Sequence, residues 1–164
     1  MLAPSLLLAA ALASDPAPAR PPACATPAHR AFDFWEGSWE VTAGGQLAGT
    51  NRIERILGGC ALQEHWTGAK GLRGTSLNWF DASGGAWRQL WIASDGSTLS
   101  LAGGLRGAEM VLEGVAPGPD GKPQAQRITW TPLGGGKVRQ RWEASGDGGK
   151  TWKLVFDGLY ARKA

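Results

Sequence analysis

The feature that most constrains this chain is the regularity with which short alternating runs are cut by glycine-rich turns. From Trp39 onward the breaks read AGG, LGG, AKG, DASGG, SDGS, GLRG, APGPDGKP, LGGG and SGDGG. Between them, apolar and polar side chains alternate with the period of two that a strand imposes. This predicts strands at 37–43, 46–56, 60–69, 72–81, 86–94, 98–103, 108–116, 125–133, 137–145 and 151–162. Nearly every break is of hairpin length, so successive strands must be antiparallel neighbours. Left flat, such a sheet would expose two edges and one apolar face, and closure removes both problems. The predicted fold class is all-β: a single antiparallel up-and-down β-barrel of about ten strands. A two-sheet sandwich is the alternative, and it needs longer crossing connections than these. Only HRAFDFWEG, with Asp33 or Glu36 near its ends, reads as a helical turn.

At 164 residues the chain fits one domain. Its first residues, MLAPSLLLAAALAS, read as a secretion signal at 1–13. Leu6 to Leu12 supply the apolar stretch and Ala11-Leu12-Ala13 the small-x-small cleavage site near Ala13, although no Lys or Arg precedes the run. The run is too short to span a membrane. Residues 14–30, rich in Pro and Ala, read as a tether, and 31–164 as the barrel domain. The expected location is periplasmic or secreted. PPAC before Cys24 lacks the leucine of a lipoprotein box. Net charge is +3, but the basic residues are scattered without a Lys/Arg block, which argues against a nucleic-acid partner.

Export gives the two cysteines meaning. In an oxidising compartment Cys24, just ahead of the domain, and Cys60, at the start of a strand, can form a bridge that pins the tether to the barrel. Two free thiols are the alternative.

Nine tryptophans in so short a chain demand a core, a cavity or an interface. Strand alternation sorts the candidates. In VRQRWEAS, Arg139, Arg141 and Glu143 form a wholly charged set that must face water, leaving Val138, Gln140 and Trp142 inside. The same sorting places Trp87, Gln89 and Trp91 inside, with Arg88 in water. The predicted ligand-binding interior is Glu64, Trp66, Ser76, Asn78, Gln89, Trp91, Gln140 and Trp142. Apolar walls with a few fixed polar groups suit a ligand cavity. The competing reading has these groups satisfying one another or holding internal water.

Recognisable chemistry is sparse. No His or Cys spacing suggests a metal site, and no nucleophile elbow or phosphate-cradling loop is present. Glycoside hydrolysis needs two inward acids, and Glu64 is the single inward candidate; Asp81, Asp95, Asp147 and Asp157 fall at turns or outward positions. His65 beside Glu64 is not an acid–base pair, because adjacent strand residues point to opposite faces. SGDGGKTW matches the Asp-box of sialidases, which carry several copies. A lone copy reads as a hairpin staple, with Asp147 accepting from its own turn, Gly148 and Gly149 supplying left-handed backbone, and Trp152 folding back over it.

The segment FDFWEGSWEV resembles the Gly-x-Trp opening of the calycin superfamily, which includes the lipocalins. The resemblance implies that Trp39 closes the barrel floor and that a late-strand arginine, Arg162 in GLYARK, packs over it. More closely, FDFWEGSW, ILGGCALQEHW, SLNWFD, WRQLW and FDGLY together resemble an uncharacterised family of secreted bacterial lipocalin-like domains, over roughly residues 32–162. That likeness implies fold and export rather than an activity. Nitrobindin, a ten-stranded haem barrel, is similar at the same opening, but it ligates iron through a late-strand histidine. Here the histidines are His29, in the tether, and His65, on an early strand, so no haem and no other cofactor is expected.

The function expected is therefore non-catalytic binding of a small hydrophobic or aromatic molecule in a Trp-lined cavity, by a monomer or weak homodimer. Two alternatives remain. One is an enzyme using Glu64 in that cavity. The other is an envelope interaction module using outward Leu77, Trp79 and Leu90.

Overall fold

A computed structural model describes residues 23–163. The proposed signal at 1–13 and most of the proposed tether lie outside the described residues. One helical turn, α1 (Pro27–Arg30), and a 3-10 turn (Asp33–Trp35) precede ten strands. These are β1 (Gly37–Ala43), β2 (Gln46–Ile56), β3 (Ala61–Gly68), β4 (Arg73–Asp81) and β5 (Ala86–Ala93), followed by β6 (Thr98–Arg106), β7 (Glu109–Pro117), β8 (Pro123–Gly134), β9 (Lys137–Ser145) and β10 (Lys153–Arg162). Each strand pairs antiparallel with the next, and β1 pairs with β10, so the sheet closes into a barrel. Closure leaves no unpaired edge.

The turns are built by the residues that punctuate the sequence. Asp81, Asp95 and Asp120 each accept a backbone N–H from two residues on, fixing three hairpin turns. Asp147 accepts from the amides of Lys150 and Thr151 and from the Thr151 hydroxyl, and Trp152 packs against Gly149. The SGDGGKTW segment is thus a stapled hairpin between β9 and β10.

One break differs from expectation. GLRG was predicted to end the sixth strand at 103, yet β6 runs on to Arg106 and the turn falls at Gly107–Ala108. Gly103 is in the strand because β7 passes close beside it: a Cβ there would lie 2.1 Å from the Val111 carbonyl oxygen. The glycine serves close backbone approach rather than a turn. A short 3-10 turn at Leu57–Gly59 was likewise absent from the strand-only reading.

The N-terminal segment closes one end of the barrel, here termed the floor. Phe32 stacks on Trp35 with centroids 4.9 Å apart, and Trp87 and Trp130 meet Phe32 edge-on at 5.6 and 5.1 Å. Trp39 donates its indole N–H to the Trp35 carbonyl, and Trp87 donates to the Ala28 carbonyl. All four indoles are buried. Arg162 sits with its guanidinium carbon 4.6 Å above the Trp39 ring and donates to the Glu36 carbonyl oxygen. A disulfide joins Cys24 to Cys60, with Cα atoms 5.0 Å apart, and holds this segment to the start of β3.

Candidate functional site

The strand register carries the inward set in two layers. The deeper layer is polar. Glu64 on β3 lies opposite Ser76 on β4, and Asn78 lies opposite Gln89 on β5. Donors converge on the acid: Gln89 donates to Asn78 Oδ1, Asn78 donates to Ser76 Oγ, and Ser76 donates to Glu64 Oε2 at 2.6 Å. From the other side Asn51 on β2 donates to Glu64 Oε1 at 2.6 Å. Asn51 also reaches the Tyr160 hydroxyl, which in turn donates to Gln140 Oε1. One connected network therefore crosses the barrel from β5 to β9, and the sequence-predicted Glu64, Ser76, Asn78, Gln89 and Gln140 all belong to it.

Glu64 is 5% exposed and has no cationic partner among the described residues. Burial pushes its carboxyl above the usual carboxylate range, against the opposing pull of the bonds from Ser76 and Asn51. Burial, and the neighbouring Glu64, push the Tyr160 phenol well above its ordinary value, so it stays neutral. Asn51 Oδ1 is buried without a partner. Most of the inward amides satisfy one another, as the competing sequence reading had it; this oxygen is the exception in the network.

The upper layer is aromatic. Trp66, Trp91 and Trp142, with Phe156, gather at the end opposite the floor, here termed the mouth. Trp66 meets Phe156 edge-on with centroids 6.3 Å apart, and Trp142 donates to Gln126 Oε1. Two inward glycines, Gly74 on the neighbouring strand β4 and Gly158 on β10 itself, make room for the large rings. The Trp91 ring lies 2.2 Å from where a Cβ on Gly74 would be, and Phe156 covers Gly158 in the same way at 2.5 Å.

Unlike the floor indoles, these four inward rings are only partly buried. Gln140, one inward position deeper than Trp142, is also partly exposed. In a closed barrel an inward side chain that keeps exposure borders open space, within the barrel or at its end. The nine tryptophans thus divide into four at the floor, three at the mouth, and two outside, Trp79 and Trp152.

The outer wall was sorted as expected, with one difference. Glu143 points outward yet is 9% exposed, because Arg127 and Arg141 both bond it and Arg127 lies 4.0 Å from the centre of the Trp152 ring. Two surface concavities, of about 390 and 410 Å³, lie beside outward residues. The first runs past Thr50, Arg52, His65 and Thr67 and also borders Trp39 and Asn51. The second holds Arg106, Arg127, Arg139 and Arg141, each paired with an acid, so it offers no free cationic site. Leu77 lies opposite Leu90 on the outer face of β4 and β5, with Trp79 and Ile92 nearby, and all four are exposed.

Sequence sorting missed Asn51, Tyr160, Phe156 and Gln126. In TNRIERI the inward set is Asn51, Ile53 and Arg55, and the arginine spoils the pattern. The structure explains it: Arg55 lies at the floor, where it bonds Asp33 and Glu36. In FDGLY the alternation Phe156, Gly158, Tyr160 was available but has a glycine at its centre. Among the described residues no group of His, Cys, Asp and Glu could hold a metal ion, and no helix is long and apolar enough to cross a membrane. Neither a family model nor a curated protein matches the chain.

Proposed function

We propose that this protein is an exported, non-catalytic binder of a small apolar or aromatic molecule, which it takes at the mouth of the barrel. The observation that supports this reading is the partial exposure of Trp66, Trp91, Trp142 and Phe156, which face inward and yet are reached by solvent. Large apolar rings kept wet at a concave end gain about 25 cal/mol for each Å² that a guest covers. The disulfide and the secretion-type leader support export. On this reading the protein acts as a monomer or weak homodimer, and the lipocalin-like likeness of the sequence agrees with it.

The test is a titration of the protein with a panel of small aromatic and lipophilic compounds, followed by tryptophan emission and by thermal melting. At least one compound should shift the emission of the mouth indoles and raise the melting temperature as its concentration grows. A chemically broad panel that changes neither signal would refute the reading.

A further inference from the structure

The interior is lopsided in charge. Among the described residues its one acid, Glu64, is buried, and the two arginines at the floor are engaged elsewhere: Arg55 with Asp33 and Glu36, and Arg162 over Trp39. Gln89, Asn78 and Ser76 form a donor chain that ends on Glu64, and the Tyr160 hydroxyl is given to Gln140. Two accepting features lie beside the acid. Asn51 Oδ1 is buried and unpartnered, and indole faces carry the negative side of an aromatic quadrupole. Trp66 is the next inward residue after Glu64 on β3, and Trp91 lies directly opposite Ser76, which bonds the acid. Acid and indoles therefore occupy adjacent layers.

From this juxtaposition we infer that the guest of the mouth is an organic cation, an ammonium or amidinium on an apolar or aromatic body, with Glu64 as its counter-charge. The inference rests on the mouth being a binding site and names the class of molecule it takes. Aromatic rings around a carboxylate attract a desolvated cation through both the ring faces and the opposite charge. Burial raises the pKa of Glu64 in the empty site. A cation beside the acid favours its charged form, so binding to the protonated form releases one proton to solvent and leaves a pair that is neutral as a whole.

The groups facing Glu64 are Asn51 and Ile53 from β2, Ser76 and Asn78 from β4, and Tyr160 from β10; among these only Tyr160 titrates, and it does so far above neutrality. Its chain neighbour His65 points to the opposite face, toward Glu54. The proton exchanged on binding therefore belongs to Glu64.

The experiment uses benzyltrimethylammonium and its uncharged isostere neopentylbenzene, each titrated against tryptophan emission. The wild-type protein should bind the ammonium roughly ten-fold or more tightly than the hydrocarbon. Ammonium affinity should rise with pH through the range in which Glu64 loses its proton, while hydrocarbon affinity stays flat. Glu64→Gln should collapse the ratio between the two. Equal affinities in the wild type, or a ratio that survives in Glu64→Gln, would overturn the cation while leaving the mouth as a binding site. Binding of neither compound would overturn the cation as guest, and the mouth as a binding site then stands or falls with the broader panel. If Glu64→Gln does not fold, the pH arm on the wild type decides alone: an ammonium affinity that does not rise with pH refutes the inference.

Discussion

Glu64 is a carboxyl that the fold protects from water without giving it a cation, and this has a measurable consequence even in the empty protein. Its folded pKa is raised, so the folded barrel holds the proton more tightly than the unfolded chain does. The stability this gives is complete below the ordinary carboxylate range and is lost as pH rises through the raised folded value. Each unit of the shift is worth about 1.4 kcal/mol. The turn acids Asp81, Asp95 and Asp147 are shifted the other way by their hydrogen bonds and favour higher pH, so the wild-type curve alone mixes both signs. Subtracting a Glu64→Gln variant isolates the buried acid. Urea unfolding at about pH 4 and about pH 8 should show the variant gaining on the wild type by roughly 1 kcal/mol or more as pH rises. A difference that does not change with pH would mean that Glu64 is not penalised by its surroundings. The acid itself was legible, because period-two sorting is local and Glu64 lies in a clean run. Its partners Asn51 and Tyr160 were not, since the alternation of their own strands is interrupted by Arg55 and Gly158, and Tyr160 comes from the far end of the chain.

At the level of the strand pair, β4 and β5 show why the glycines cannot be read as punctuation alone. Gly74 faces inward within β4, and the Trp91 ring takes the space its side chain would need. Gly74→Ala would place a Cβ 2.2 Å from that ring, so the indole must move or the strands must part. The expected cost is about 1–3 kcal/mol, as for other overpacked sites, with altered tryptophan emission. Chemical denaturation and fluorescence of the variant check this; an unchanged midpoint with unchanged emission would show that Trp91 has a second place to lie. The same logic explains the misread end of β6. A sequence shows that Gly103 lacks a side chain, but not that a neighbouring backbone fills the vacancy. Turns fixed by Asp81, Asp95, Asp120 and Asp147 were legible because an aspartate bonding its own turn is a short-range event.

For the molecule as a whole, closure was legible from the succession of hairpins, since ten antiparallel strands without a crossover leave two edges that can satisfy each other. The register of that last seam, Trp39 opposite Arg162, is a contact between the two ends of the domain, and only the family resemblance suggested it. Division of labour between the ends was not legible either, because alternation tells in from out but not floor from mouth. The floor owes its position to the N-terminal segment, which the disulfide anchors across a separation of 36 residues. Closing a loop of that length stabilises the fold by about 3–4 kcal/mol on chain-entropy grounds. The cross-link acts at the floor, far along the strands from the mouth. A Cys24→Ser, Cys60→Ser double variant should therefore unfold at lower denaturant by about that amount while its native emission keeps the contribution of Trp66, Trp91 and Trp142. Loss confined to the N-terminal segment would register first at Trp35, Trp87 and Trp130, whose rings pack on Phe32. If the double variant instead matched the wild type in stability, packing of Phe32 and Trp35 alone would be holding the floor shut.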